Sequence, residues 1–254
     1  MKSIEVLLLS RKDVVNLMLT PTDVVSVVED AMREHAAGTY EMHPKIGVHP
    51  TGTDPANFIH AMPAYLHKLG ACGLKWVAGF ARNYRQGLPN VTGLQVYNDT
   101  ATGIPLAIMD CSYLTGLRTA AVSAIAAKRC ARSSAETLAL VGCGFEGGCA
   151  YTPEALHQAN KFVVDDVALA EYFEKISRDR KTEDGQPDPE CPGGMPGIYA
   201  TIGEIVAGKK PGRDSESERI IAIPIGMAIC DIAVAHLAYH SALRRGIGQK
   251  FQLA

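Results

Sequence analysis

The chain predicts an α+β fold, a mainly antiparallel sheet carrying helices and joined to a shortened α/β segment. Three observations predict it. Residues 45–109 hold a succession of short apolar runs separated by tight-turn sequences, the pattern of strands joined by hairpins. Helix starts with clear capping residues stand ahead of this stretch, and a long Ala-rich segment follows it. One all-apolar run, Thr137–Val141, leads straight into a cluster of glycines, as a buried strand feeding a helix does.

In order along the chain, Ile4–Leu9 reads as a short strand, and Ser10 caps a helix carrying Val14, Val15, Leu17 and Met18. Thr20-Pro21-Thr22-Asp23 starts a second helix with a hydroxyl cap, proline in the first turn and an acid behind it. Its apolar face is Val24, Val25, Val27, Val28, Ala31 and Met32, and Gly38 ends it. Lys45–His49 and Asn57–Met62 flank the turn Thr51-Gly52-Thr53-Asp54 as a hairpin. Strands Cys72–Gly79 and Val91–Asn98 follow, with the polar loop Arg82–Asn90 between them; Ile104–Met109 is the next strand. Ser112–Cys130 is a long helix. After the glycines, a helix restarts at Thr152-Pro153-Glu154, and Lys161–Val164 is a strand closed by Asp165-Asp166. Lys175–Met195 reads as a surface loop, Ile198–Gly208 as a helix, Arg219–Ile225 as a strand and Met227–Arg244 as an amphipathic helix.

Composition narrows the function classes. With 254 residues, 47% hydrophobic, the chain buries a real core. A net charge of −2 and the lack of a basic stripe speak against nucleic acid. Val6–Leu9 gives way at once to Ser10-Arg11-Lys12-Asp13, so neither a signal peptide nor a membrane span is expected there. The seven cysteines include no C-x-x-C pair, which fits free thiols in a cytoplasmic protein and no metal site.

Gly142-Cys143-Gly144-Phe145-Glu146-Gly147 is a G-x-G-x-x-G match behind a predicted strand. Such glycines permit a tight turn and let backbone N–H groups approach a pyrophosphate at a helix N-terminus. An ordinary strand-to-helix turn is the alternative. Asp165 follows at the spacing of a ribose-binding acid, about 20 residues on. Two features oppose that reading. Pro153 falls where the helix after the turn should run, and a proline inside a helix costs roughly 3 kcal/mol. Thr137–Asp166 has room for a single βαβ unit of about 30 residues, where a full dinucleotide domain needs about six strands.

Two cations stand out on physical grounds. Arg118 sits inside an otherwise apolar, Ala-rich helix, where a charge needs a partner or a route for its stem to water. Lys75 lies between Leu74 and Trp76 on a strand and faces away from both, toward a site or toward solvent.

Several stretches together resemble the ornithine cyclodeaminase/mu-crystallin family, which also contains alanine dehydrogenases and ketimine reductases. They are Met62-Pro63-Ala64-Tyr65, Gly73-Leu74-Lys75-Trp76-Val77, Gly103-Ile104-Pro105-Leu106-Ala107, Leu114-Thr115-Gly116-Leu117-Arg118-Thr119-Ala120-Ala121, the glycine turn, and Gly226-Met227-Ala228-Ile229-Cys230-Asp231. The resemblance implies NAD or NADP as cofactor, a small amino or imino acid as substrate, and a homodimer built on the sheet. It implies that Arg118 binds the substrate carboxylate and that Lys75 is catalytic. Lys45, Asn90, Thr92 and His60 fall where substrate contacts are expected. His60 stands where the ornithine enzymes carry an acid, which argues against ornithine. Gly142, Cys143, Gly144, Phe145 and Glu146, with Thr115 and Thr119, would face the cofactor. Residues 1–130, completed by 195–254, would form the substrate and dimerisation domain; 131–175 a truncated Rossmann remnant; and 176–194 a surface loop. The family's segment bearing a catalytic Asp has no counterpart between Gly147 and Thr152, and Lys161–Asp166 resembles a late strand of the cofactor domain, not its second. The expected outcome is impaired turnover or, alternatively, a non-catalytic homodimer binding a small carboxylate.

Overall fold

The computed structural model describes residues 3–50, 57–137, 158–179, 186 and 194–254. The chain divides into two compact units, one of residues 1–121 and 228–254, the other of residues 122–227.

The first unit is built on an eight-stranded sheet. Its strands are β1 (Glu5–Leu9), β2 (Tyr40–Met42), β3 (Ile46–Val48), β4 (Phe58–Leu66), β5 (Ala71–Gly79), β6 (Val91–Asn98), β7 (Pro105–Asp110) and β11 (Gln249–Gln252). The order is β11-β1-β7-β6-β5-β4-β2, with β3 also on β4, and every pairing is antiparallel except β1 with β7. The expected antiparallel sheet is therefore present. The pairing of β3 with β4 also matches the expected hairpin, whose turn lies outside the described residues.

Local chemistry sets the first helices. α1 (Arg11–Asn16) begins with a capping box: Ser10 Oγ accepts from the Asp13 amide, and the Asp13 carboxylate accepts from the Ser10 amide. α2 (Pro21–Ala37) begins at Thr20 and ends at Gly38, whose φ of 70° is cheap only for glycine. Buried Glu34 on α2 accepts from the amides of Lys68 and Leu69, at 2.8 and 2.9 Å, and so clasps the β4–β5 turn.

α3 (Cys111–Cys130) leaves β7 without a loop, and α6 (Ala228–Arg245) is buried along most of its length against α2, β4, β5 and β6. Gly73 on β5 permits the close approach of α6. A Cβ there would meet the Val96 carbonyl oxygen at 2.2 Å and Ile232 Cδ1 at 3.0 Å. β2 and β11 were not expected from the sequence, because each is a short edge strand without clear alternation.

In the second unit, β8 (Lys161–Val164) lies between β10 (Ile220–Ile223) and β9 (Ala200–Thr201), parallel to both. The expected loop from Lys175 is corrected in part: α4 (Val167–Asp179) carries the chain through Asp179 as a helix. Asp166 accepts from the Leu169 amide at 2.7 Å and acts as its N-cap, while Leu169 and Ala170 supply the buried face. The predicted helix at Ile198–Gly208 is shorter, with β9 preceding α5 (Ile202–Val206). Asp165, at the end of β8, is fully buried and accepts from the Gly226 amide at 2.6 Å. Its carboxylate ties the end of β8 to the segment that follows β10. Among the described residues, no helix is long and apolar enough to cross a membrane.

Candidate functional site

The two cations singled out in the sequence meet inside the first unit. β5 alternates: Ala71, Gly73, Lys75 and Val77 face inward toward α6, while Trp76 on the other face is 47% exposed. Lys75 is thus only 2% exposed, and a solvent-facing lysine is excluded. Arg118, two turns into α3, is buried at 8% exposure. Both converge on a residue the sequence analysis did not assign. Asp231, in the first turn of α6, accepts from Lys75 Nζ and from Arg118 Nε at 2.9 Å each, through the same oxygen, Oδ1.

Asp231 itself is 1% exposed. Gln95 on β6 fixes its backbone, donating from Nε2 to the Asp231 carbonyl at 2.6 Å. Asp231 Oδ2 and Gln95 Oε1 are buried without a hydrogen-bond partner among the described residues. Burial works to raise the Asp231 carboxyl, but the Arg118 and Lys75 cations outweigh it and hold it below the ordinary carboxylate range. Burial pulls Lys75 below the usual lysine range; Asp231 opposes this and Arg118 adds to it.

His60 lies on β4 on the same sheet face as Lys75, since Met62 is the register partner of Lys75. Its ring stacks on Phe58 at 4.2 Å between centroids, with His49 at 6.1 Å. Burial first, then the charges of Lys45, His49 and Lys75, lowers His60 to about 4, so it is neutral at physiological pH. Lys45, half-buried before β3, therefore acts on this region through its charge.

Asn90 and Thr92 stand apart from the cluster. Asn90 is exposed and closes its own loop, its Oδ1 accepting from the Tyr84 amide and its carbonyl from the Phe80 amide. Thr92 is in register with Ala78, which puts it on the sheet face opposite Lys75. On α3, Thr115 lies one turn before Arg118 and one turn before Thr119, and its buried hydroxyl sits against the Cys111 thiol. Gly142, Cys143, Gly144, Phe145 and Glu146 lie outside the described residues.

Asp231 was missed because its partners are 156 and 113 residues away in sequence. The available signal was a lone carboxylate within Met227-Ala228-Ile229-Cys230-Asp231-Ile232-Ala233-Val234, an apolar run where an acid requires a cation.

The chain is similar to several known proteins. The nodulation efficiency protein NfeD of Rhizobium meliloti is 41% identical over 162 residues, 63% of this chain and 49% of that protein. The chain thus spans about half of NfeD. Alanine dehydrogenase of Archaeoglobus fulgidus is 29% identical over 326 aligned positions, against 254 residues in this chain, and 98% of each is covered. Among solved structures, an archaeal alanine dehydrogenase dimer with bound NAD superposes with a TM-score of 0.81 at 26% identity, covering 99% of this chain and 100% of that one. The Δ1-pyrroline-2-carboxylate reductase of Thermococcus litoralis, in complex with NADH and L-proline, shares the fold, with a TM-score of 0.78 at 23% identity over 96% of this chain and 99% of that one. A sequence model of the ornithine cyclodeaminase/mu-crystallin family matches residues 4–175 and 194–246, and the chain belongs to that family.

Proposed function

We propose that this protein binds the carboxylate of a small α-amino or α-imino acid at Lys75 and Arg118, in a site derived from NAD(P)-dependent dehydrogenase, imine reductase or cyclodeaminase chemistry. One observation carries the reading: two buried cations, one from β5 and one from α3, converge on a single carboxylate oxygen. Arg118 orients the ligand carboxylate. Lys75, whose affinity for its proton is lowered by burial, holds or returns a proton at the ligand's α-carbon substituent. Neutral His60 offers no anion to a second amine, so the substrate has a short, uncharged side chain.

NAD or NADP, when bound, supplies hydride transfer. Thr115, one turn before Arg118 on α3, would offer its hydroxyl as a polar cofactor contact. Turnover is impaired in this chain on our reading. Two facts support that: the alignment with alanine dehydrogenase runs over more positions than the chain has residues, and the described part of the second unit has three parallel strands where a doubly wound domain has about six. Residues 131–175, together with β9 and β10, would be what remains of that domain. Calorimetric titration with pyruvate, L-alanine and L-proline, alone and with NAD, NADP and their reduced forms, tests both halves of the proposal. Carboxylate binding with weak or no dinucleotide binding is expected. Failure of every carboxylate to bind would end the reading, and enzyme-like NADH formation from L-alanine would end the claim of impairment.

A second reading is a non-catalytic homodimeric module, and the open face of the sheet favours it. Ile46, Ala61, Trp76 and Leu94 lie in register across four strands on the face away from Lys75, with Ile46 62% and Leu94 51% exposed. The sheet would pair there with a second copy, and sedimentation showing only monomer would refute it.

A further inference from the structure

We infer that Asp231 is the positioning residue of this site: one of its oxygens gathers the Lys75 ammonium and the Arg118 guanidinium at a single point, so that both serve one ligand carboxylate. The inference rests on the carboxylate-site reading above and names the residue that makes such a site possible.

Three features of the geometry carry it. Lys75 and Arg118 come from β5 and α3 and share no partner other than Asp231 Oδ1 in the described cluster, at 2.9 Å each. A carboxylate placed for stability alone would satisfy both oxygens, yet Asp231 Oδ2 is buried and carries no hydrogen bond among the described residues. The placement of Asp231 is itself built: Gln95 binds its carbonyl at 2.6 Å, and Gly73 lets α6 settle close to β5 beside Lys75.

The groups that act on Lys75 are Asp231 from α6, Arg118 and the Cys111 thiol from α3, and His60 from β4. Burial pushes the Cys111 thiol up to about 11, and His60 is held down at about 4, so both are neutral across the physiological range. Asp231 is therefore the one anion in this set. Without it, Lys75 is buried beside the Arg118 cation alone and sheds its proton closer to neutrality.

The test uses the full chain with Asp231→Asn, pyruvate as probe, and lysine labelled with carbon-13 at Cε. Pyruvate binding is followed by calorimetry, and Lys75 ionisation by the Cε shift, from about pH 6 to about pH 9. In the parent protein we expect a charged Lys75 and a flat affinity. In Asp231→Asn we expect Lys75 to titrate within the window and affinity to fall by about tenfold per pH unit above its new pKa. A flat affinity together with a Lys75 still charged would overturn the inference, since a merely structural role moves neither readout. Should the parent protein bind no carboxylate, the functional reading fails, and the Lys75 titration in Asp231→Asn still decides whether Asp231 governs its charge. If Asp231→Asn does not fold, Asp231→Glu decides: Lys75 stays charged and pyruvate binds several-fold more weakly at every pH, whereas unchanged affinity would count against positioning.

Discussion

Removing either half of the Lys75–Asp231 pair makes a quantitative test of the buried cluster. At 2.9 Å, with an effective dielectric of about 20, the attraction is roughly 6 kcal/mol. Desolvating the two charges takes back several kcal/mol, which leaves a coupling of roughly 2 kcal/mol. Asp231→Asn strands a buried lysine beside a buried arginine and should cost about 3–5 kcal/mol. Lys75→Met removes a charge that was costly to bury and leaves Asp231 paired with Arg118, so it should cost about 1–2 kcal/mol. In the double variant the uncompensated lysine is gone, and the loss should fall short of the sum by roughly 2 kcal/mol. Trp76 is the only tryptophan in the chain and lies on the outer face of β5 within the same compact unit. Urea unfolding followed by its fluorescence therefore reports on the unit that carries the pair, and Asp231→Asn should lower the midpoint by roughly 2 M. Strict additivity, with a coupling below about 0.5 kcal/mol, would show that the ion pair is not what the geometry implies.

Other expectations follow from the same structure. Glu34→Gln replaces a carboxylate that accepts two backbone amides with a group of weaker accepting power, and should cost about 1–3 kcal/mol in the same urea assay; no change would mean the clasp on the β4–β5 turn is idle. His60 and His236 each have a folded pKa of about 4, below the ordinary 6.5, so the native state binds fewer protons than the unfolded chain. Their contribution is intact above about pH 6.5 and is lost as pH falls toward 4; for such half-exposed rings it amounts to roughly 1 kcal/mol each. Thermal melts of His60→Asn/His236→Asn should accordingly lose less stability than the parent between pH 7 and pH 4, and parallel curves would disprove the assignment. Trp76→Lys with Leu94→Lys places two charges on the open sheet face and should yield a folded monomer by sedimentation; a dimer that survives both charges would refute pairing through this face.

Much of the scaffold was legible from local chemistry. The caps at Ser10 and Thr20, the proline after Thr20 and the glycine at position 38 act over a few residues, so the helix starts and the end of α2 fall where they were expected. Alternation along β5 placed Lys75 and Trp76 on opposite faces before any fold was known. α4 was less legible because its stripe of Leu169, Ala170 and Phe173 is short and gives way to charged residues, so its helical period does not stand out from the loop that follows.

By itself the sequence determined the central strands of the sheet, the capped helices and the two cations worth watching, since period and capping are properties of neighbouring residues. Only the tertiary structure decided which face of the sheet is covered, and therefore that Lys75 points into the core while Thr92 points away from it. It also decided that Asp231 joins Lys75 to Arg118, across sequence separations of 156 and 113 residues. An isolated acid in an apolar helix announces that a cation must exist, but its identity depends on which strands α6 covers, and that is settled by the packing of the whole sheet.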